Sequence, residues 1–199
     1  GKISCTEGAA VGINWSFAPI VDIDNNWRNP ITNLRTFGDD PRRVLRFGSG
    51  YLKGAAEAGV AVSIKHFPGD GVDERDQHLH TTVNALSADE WMDTYGMIYK
   101  GLIDQGAQTV MVGHIAQPAW AKRLNPLLSG KDLYRPATLS REIVTGLLRE
   151  TLGFNGMIVT DATSMLGYTC AMERSKAVPT TIAIGCDMFL FNKSFDEDY

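Results

Sequence analysis

An aspartate and a histidine two residues apart, Asp76 and His78, have the residue types and the spacing of a proton-transfer pair. The carboxylate can fix the tautomer of the imidazole and stabilise its protonated form, while the imidazole exchanges a proton near neutral pH. The same short pattern also occurs by chance in solvated loops, and His80 follows two residues later. The pair is therefore a candidate general acid/base, with His80 as a competitor for His78.

Charged residues at the ends of two apolar runs are the next candidates. Residues 60–64 form an apolar run that ends in Lys65-His66 and opens into a loop rich in glycine and proline. Asp161 directly follows another such run, residues 157–160. Strands that end on charged groups are how α/β enzymes present chemistry at the carboxyl edge of a sheet. Asp161 is thus either a nucleophile or a helix N-cap or turn residue, and both interpretations stay open at this point.

Composition and charge indicate an ordinary soluble globular protein. The chain has 199 residues, 44% of them hydrophobic and 21% charged, with a net charge of −4. That length is enough for one sizeable core. The acidic balance provides no footprint for nucleic acid, and no apolar run approaches the ~20 residues of a membrane span. We therefore expect neither nucleic acid nor a membrane as a partner.

Cysteine usage and the first residues bear on the compartment. The three cysteines have neither the even number of a disulfide framework nor the spacing of a zinc site, so we expect reduced thiols and no metal. The N-terminal residues do not have the layout of a signal peptide. We expect a cytoplasmic protein, and a signal upstream of Gly1 would change that expectation.

Strands and helices are predicted to alternate along the chain. Five short apolar segments that end at polar residues are predicted strands: Trp15–Ile23, Val60–His66, Thr109–His114, Gly156–Asp161 and Asp187–Asn192. The helices predicted between them are Pro41–Gly59, 88–105 behind a Ser87/Glu90 capping box, 140–152 with Ser140 as N-cap and its end at Gly153, and 171–185 broken near Pro179. This alternation predicts a parallel sheet, either a barrel or an open doubly wound sheet.

Several motifs, in order, resemble the N-terminal catalytic domain of glycoside hydrolase family 3, most closely its NagZ-like β-N-acetylglucosaminidase branch. Residues 65–71 and 76–78 are similar to its Lys-His-Phe-Pro-Gly loop and its Asp-x-His triplet. Asp70 stands where the branch usually has His, and Gln77 where it usually has Ser. The other matching segments are 13–23, Leu34–Gly38 and 136–161.

The resemblance implies a (β/α)8 TIM barrel, truncated in residues 1–199 to about its last five βα units. The family's first three strands, including its Asp-Gln-Glu-Gly-Gly segment, are expected upstream of a cut near Gly12. Such a barrel normally needs about 250 residues. We expect the rest of the full-length chain to supply the missing strands.

The resemblance also implies roles for particular residues. It makes Asp161 the nucleophile and His78 the general acid/base, with Asp76 orienting His78. Three further residues resemble the family's contacts to sugar hydroxyls: Arg35, Lys65 and His66. The family often has a second acid after the nucleophile, where this chain has Ala162.

Other candidates come with an alternative each. His114, at the end of a predicted strand, is expected to line the pocket wall or else to pack in the core. Arg35 could instead form a surface ion pair with Asp39 or Asp40. The remaining cases are Asp22, which either faces the site or makes a structural hydrogen bond; Trp15 and Trp27, expected in the core rather than stacked on sugars; and Gly69 and Gly71, expected either to let the loop move or to be ordinary turn residues.

The function implied is the retaining hydrolysis of terminal β-linked N-acetylglucosamine through a covalent glycosyl-Asp intermediate. A carbohydrate substrate is the expected partner, and no cofactor or metal is implied. A β-glucosidase or a β-N-acetylglucosaminide phosphorylase of the same family is the alternative; a histidine acid would not repel the phosphate of the latter. A non-catalytic sugar-binding half-barrel is the rival of another class, against which the presence of Asp161 and His78 argues.

Overall fold

The computed structural model describes residues 1–191. Its strands are β1 (Trp15–Ser16), β2 (Ala61–Phe67), β3 (Thr82–Val83), β4 (Thr109–Val112), β5 (Ile115–Ala116), β6 (Met157–Ala162) and β7 (Met188–Leu190). Five of them form one curled sheet in the order β1-β2-β4-β6-β7, and every neighbouring pair is parallel. The short strands β3 and β5 pair with each other in a separate two-stranded sheet.

One helix precedes β1, and the others lie in the connections between the strands. They are α1 (Lys2–Ala10), α2 (Pro41–Glu57), α3 (Ala88–Trp91), α4 (Met97–Asp104), α5 (Pro118–Leu124), α6 (Leu166–Thr169) and α7 (Arg174–Ala183). A π-helical segment, Met92–Gly96, joins α3 to α4, and a longer π-helix covers Glu142–Thr151. Two 3₁₀ turns, Gly130–Tyr134 and Ala137–Leu139, precede that π-helix. This β-helix-β order is that of a barrel wall with its helices outside.

The core lies between the sheet and these helices. Phe67 at the end of β2 is fully buried and meets Trp91 and Tyr99 edge to face, at ring-centroid distances of 6.0 and 4.9 Å. All residues of β4 and the central apolar residues of β6, Ile158 and Val159, are buried as well, and both strands have a neighbour on each side. The strand ends that carry polar residues are therefore held by a continuous apolar core.

All five predicted strands have a counterpart in the sheet, although the first and the last are shorter. The first is reduced to β1 because Pro19 provides no N–H for the ladder, and Ile20 then forms only an isolated bridge to Lys65. Asn192, the last residue of the fifth prediction, lies outside the described residues. The capping box is confirmed, since the Ser87 hydroxyl accepts from the Glu90 N–H and the Glu90 carboxylate accepts from the Ser87 N–H.

Three details of the helix prediction are wrong. Helix α7 continues through Pro179, because the proline removes only its own donor while the Thr181 hydroxyl bonds back to the Ala177 carbonyl. Ser140 precedes the helical run, but its hydroxyl bonds the Glu142 carboxylate instead of capping the backbone. Helix α1 was not predicted, because its apolar residues do not repeat with a helical period.

The described part of the chain has further features that bear on partners. No helix within residues 1–191 is long and apolar enough to cross a membrane. In the same range, no three His, Cys, Asp or Glu side chains converge as a metal site would require. The three cysteines are free; Cys5 and Cys186 are buried and Cys170 is exposed.

Candidate active site

The carboxyl ends of β2, β4 and β6 form one edge of the sheet, where most of the predicted site residues lie. β4 lies between β2 and β6 in the curled sheet and all three strands are parallel, so Lys65 and His66 of β2 lie at the same end of the sheet as Asp161 of β6. The His66 Nε2 and Asp161 Oδ2 atoms are 3.9 Å apart. Two residues that are 95 positions apart in the sequence thus meet at one point of the edge.

Asp161 is a largely buried carboxylate surrounded by positive charge. Its Oδ1 accepts a hydrogen bond from the Ala162 N–H at 2.7 Å. Burial alone would raise the pKa of this carboxyl, but His66 above all, with a smaller contribution from Lys65, brings it below its ordinary value. The group is therefore ionised at neutral pH, as a nucleophile must be.

Asp22 fixes His66 from behind. The fully buried carboxylate takes the His66 Nδ1–H at 2.7 Å on Oδ2, while its Oδ1 accepts from the backbone N–H groups of His66 at 3.1 Å and of Asp70 at 2.8 Å. Burial lowers the pKa of His66, but the charge and the hydrogen bond of Asp22, together with the charge of Asp161, outweigh it and the net shift is upward. Asp22 therefore makes a structural hydrogen bond and does not face the site.

Lys65 and Arg35 supply donors at the same edge. Burial lowers the pKa of Lys65, an effect that nearby Asp161 opposes and nearby Arg35 reinforces. Arg35 is exposed and bonds the Ile31 carbonyl at 3.3 Å. Within residues 1–191 it forms no ion pair, so the alternative pairing with Asp39 or Asp40 is not observed.

The Asp76–His78 pair is formed. Asp76 Oδ1 contacts His78 Nδ1 at 2.6 Å and also accepts from the His78 backbone N–H at 2.8 Å. The His78 side chain is 55% exposed, and its Nε2 has no hydrogen-bond partner among the described residues. His80 gives Asp76 only its backbone N–H, at 3.0 Å to the carbonyl. The geometry selects His78 over His80 as the partner of the carboxylate.

His114 lies behind the edge rather than on the pocket wall. It is fully buried, its Nε2 donates to the Ala162 carbonyl at 3.0 Å, and its Nδ1 accepts from the Thr138 hydroxyl at 2.9 Å. Burial lowers its pKa, so the ring is neutral. Because both ring nitrogens are engaged, the predicted substrate contact is wrong for this position. The alternative, core packing, describes His114, and the residue supports the strand end that carries Asp161.

The two tryptophans differ in position. Trp15 is half-buried and its indole donates to the Thr109 hydroxyl at 3.0 Å, in line with the expected packing role. Trp27 is 80% exposed on the loop before α2, with the Arg28 guanidinium 5.3 Å from its ring centroid. Core packing was therefore the wrong expectation for Trp27.

The loop that carries the Asp76–His78 pair is held in place by its surroundings. The Leu166 N–H donates to the His78 carbonyl at 2.9 Å, and the Thr81 hydroxyl donates to the Gly167 carbonyl at 2.7 Å. Gly71, expected either to let the loop move or to be an ordinary turn residue, is closely packed: with φ of 107°, a Cβ there would lie 1.8 Å from the Ile23 carbonyl oxygen. Sequence reasoning missed the Leu166–Gly167 contact, because no local pattern indicates an approach between loops so distant in the chain.

Comparison with known proteins decides the family. The model of the glycosyl hydrolase family 3 N-terminal domain matches residues 1–197. The chain belongs to glycosyl hydrolase family 3. It is 52% identical over 193 residues to a beta-N-acetylglucosaminidase/beta-glucosidase of Cellulomonas fimi, covering 97% of this chain and 34% of that protein. It is 32% identical to a beta-hexosaminidase of Pseudomonas aeruginosa, covering 96% of this chain and 53% of that one.

Two solved structures superpose on almost the whole length of this chain. A beta-glucoside phosphorylase, BglX, superposes with a TM-score of 0.97 at 53% identity, covering 99% of this chain and 35% of that chain. NagZ of Neisseria gonorrhoeae superposes with a TM-score of 0.79 at 28% identity, covering 96% of this chain and 51% of that one. The chain thus spans between about a third and about half of the length of these relatives. Its half-barrel is part of the family 3 TIM barrel, as predicted.

The two positions that depart from the motif of the NagZ-like branch contact each other. The Gln77 side-chain Nε2 donates to Asp70 Oδ2 at 3.1 Å, and both side chains are almost fully buried. Burial first, and then the charge of Asp22, raise the pKa of the Asp70 carboxyl to about 6. Neither side chain is exposed at the open edge.

Proposed function

We propose that the full-length protein is a retaining glycoside hydrolase that releases terminal β-linked N-acetylglucosamine. The observation that carries the proposal is the 2.6 Å contact between Asp76 and His78, next to a loop that follows the Asp161 strand. An acid/base beside an ionised carboxylate is the set of groups that retaining glycoside cleavage requires.

The proposed first step uses Asp161 and His78. A carboxylate oxygen of Asp161 forms a bond to the anomeric carbon while the bond to the leaving oxygen breaks, and His78 gives that oxygen its Nε2 proton. Asp76 keeps the proton on Nδ1 and stabilises the imidazolium before transfer. The free Nε2 and the half-exposed ring suit this exchange with a bound substrate.

The second step reverses these roles. His78, now neutral, takes a proton from water, whose oxygen bonds to the anomeric carbon and releases the Asp161 carboxylate. During both steps, the sugar hydroxyls would be bound by three donors at this edge of the sheet: Arg35, Lys65 and His66. His66 and Lys65 lie close to Asp161, and Arg35 lies close to Lys65, which supports this assignment.

The nucleophile is tested by trapping. Full-length protein treated with a fluorinated N-acetylglucosaminyl fluoride should carry one covalent sugar on Asp161 in the mass spectrum of its peptides. Asp161→Asn should give no adduct, while the matched control Asp104→Asn, at an exposed end of α4, should be labelled as the wild type is. A sugar on any other residue would contradict the assignment.

The sugar preference is a separate test. The relative from Cellulomonas fimi is named for both N-acetylglucosaminide and glucoside cleavage, and the Pseudomonas aeruginosa relative is named a hexosaminidase. We expect kcat/KM for an aryl β-N-acetylglucosaminide to exceed that for the matching β-glucoside. The reverse order would assign the protein as a β-glucosidase.

Phosphorolysis is the second candidate. The edge combines cationic Lys65 and Arg35 with Ala162, so no second carboxylate follows Asp161 to repel an anion. A structural relative at 53% identity is named a beta-glucoside phosphorylase. If inorganic phosphate increases turnover and the product is a sugar 1-phosphate, phosphate replaces water in the second step. Free sugar as the sole product at high phosphate would leave hydrolysis as the activity.

A further inference from the structure

Gln77 joins the loop between β2 and β3 to the turn after β4 at one buried point. Its Nε2 donates to Asp70 Oδ2 at 3.1 Å, and its Oε1 accepts from the His114 backbone N–H at 2.9 Å. The side chain is 1% exposed. One amide thus connects the part of the β2–β3 loop that carries the Asp76–His78 pair with an earlier part of the same loop and with the turn after β4.

The orientation of this amide is fully determined. A carboxylate accepts only, and a backbone N–H donates only, so the amide nitrogen must face Asp70 and the amide oxygen must face His114. Asp70 is itself fixed: its Oδ1 accepts from Asn29 Nδ2 at 2.9 Å and from the Gly71 N–H at 2.7 Å. The Gln77 side chain therefore rests on a rigid base.

Residue 77 lies between Asp76 and His78 in the chain, so the contacts of its side chain affect the position of the Asp76–His78 pair. The contacts within the pair orient the imidazole relative to Asp76, but they do not fix the pair relative to the sheet. Gln77 is the buried residue between these two more exposed ones, and its side chain supplies two of the bonds to the barrel wall. A displacement of Gln77 would move the imidazole Nε2.

We propose that Gln77, held by Asp70, is a positioning residue that sets the place of the His78 imidazole relative to Asp161. This inference rests on the proposed function, since it assumes that His78 is the general acid/base. It predicts that breaking the Gln77–Asp70 contact slows mainly the step in which His78 transfers a proton.

Exchanging the donor and the acceptor between Gln77 and Asp70 tests their contact. Gln77→Glu places an acceptor against the Asp70 carboxylate, and Asp70→Asn places a donor against the Gln77 amide nitrogen, so each single change breaks the contact. In the double variant the new amide nitrogen at position 70 can donate to the new carboxylate at position 77. The amide oxygen at position 70 keeps the bonds from Asn29 and Gly71, and the carboxylate at position 77 keeps the bond from the His114 N–H. The pair is restored with its polarity reversed and its net charge unchanged.

The measurement is kcat/KM of the full-length protein on a series of aryl β-N-acetylglucosaminides. In each single variant, kcat/KM should fall about 10- to 100-fold for substrates with poor leaving groups. It should fall clearly less for substrates that release acidic phenols, because these depart with little protonation. The double variant should recover most of the loss. Gln105→Glu, the same change at an exposed glutamine that bonds the Gly101 carbonyl, is the matched control and should leave the series unaltered.

The outcomes separate the two proposals. His78→Ala should show the steepest dependence on the leaving group; without it, the acid role of His78, and hence the proposed function, would fail. If His78→Ala behaves as expected but the Gln77 and Asp70 variants lose rate equally on all substrates, Gln77 has a structural role only and the inference is overturned. The same conclusion follows if the double variant does not recover.

Discussion

At the scale of single residues, buried carboxylates rather than exposed ones determine the electrostatic environment at the carboxyl edge of the sheet. Asp22 and Asp70 lie next to each other in the wall, and the Asp70 N–H donates to Asp22 Oδ1. Asp22 has His66 as a counter-charge, whereas Asp70 has only neutral donors, the side chains of Asn29 and Gln77 and the Gly71 N–H. Ionisation of Asp70 is consequently unfavourable in the folded state.

This difference predicts a pH dependence of stability. The pKa of Asp70 is about 6 in the folded protein and about 3.9 in an unfolded chain, so the folded state holds the proton more tightly. Its contribution is complete below about pH 4 and is lost as the pH rises through about 6, by roughly 3 kcal/mol at most. Asp70→Asn should remove this part of the slope of the thermal midpoint against pH.

The control for that experiment is Asp104→Asn, whose carboxylate is exposed and paired with Lys100. Asp70→Asn also breaks the contact to Gln77, which should shift the thermal midpoint by the same amount at every pH. The quantity to compare is therefore the slope of the thermal midpoint against pH. Parallel curves for wild type and Asp70→Asn between pH 4 and 7 would show that Asp70 does not titrate in this window.

At the scale of elements, the close approach of two loops depends on one glycine. A Cβ at Gly167 would lie 2.5 Å from the Gln77 carbonyl oxygen and 2.8 Å from that of His80. Gly167→Ala should therefore displace the loop that carries His78 and lower kcat/KM by about 10-fold or more, given that a displacement of 1 Å in a catalytic group costs up to about 100-fold.

Gly50 provides the matched control for this change. It lies within α2, and nothing lies within 4 Å of its Cβ position. Gly50→Ala should leave activity unchanged and raise stability by roughly 0.5–1 kcal/mol, because alanine favours the helix. Equal activity in Gly167→Ala and Gly50→Ala would show that the loop tolerates the displacement.

The sequence predicted those elements whose signals are local. The five parallel strands were predictable because buried parallel strands are continuous apolar runs, and α3 because Ser87 and Glu90 form a capping box. The Asp76–His78 contact was predictable because its members are two residues apart. Contacts between distant segments had no such signal: Asp22 with His66, Gln77 with Asp70, and His114 with Ala162.

The whole molecule is an open half-barrel with two edge strands. β1 and β7 each have one neighbour within the described residues, and large apolar side chains before β1 are exposed: Ile3 by 76%, Val11 by 78% and Ile13 by 49%. Exposed strand edges and apolar side chains promote association. We propose that the rest of the full-length chain covers them by completing the barrel.

This proposal predicts the behaviour of residues 1–199 on their own. Size-exclusion chromatography should show association or precipitation, and the span should not cleave aryl glycosides, because part of the sugar pocket is missing. The full-length protein under the same conditions should be monodisperse and active. A monodisperse, active monomer of residues 1–199 would mean that the open sheet suffices for the chemistry.

The two hydrogen bonds from the Leu166–Gly167 segment to the loop of His78 have a dynamic consequence. That segment follows β6 and begins five residues after Asp161. Thermal displacements of the segment are passed to both the nucleophile and the acid/base, so their fluctuations are correlated. The distance between Asp161 and His78 should consequently vary less than the position of either group, and opening of this edge should move them together as one body.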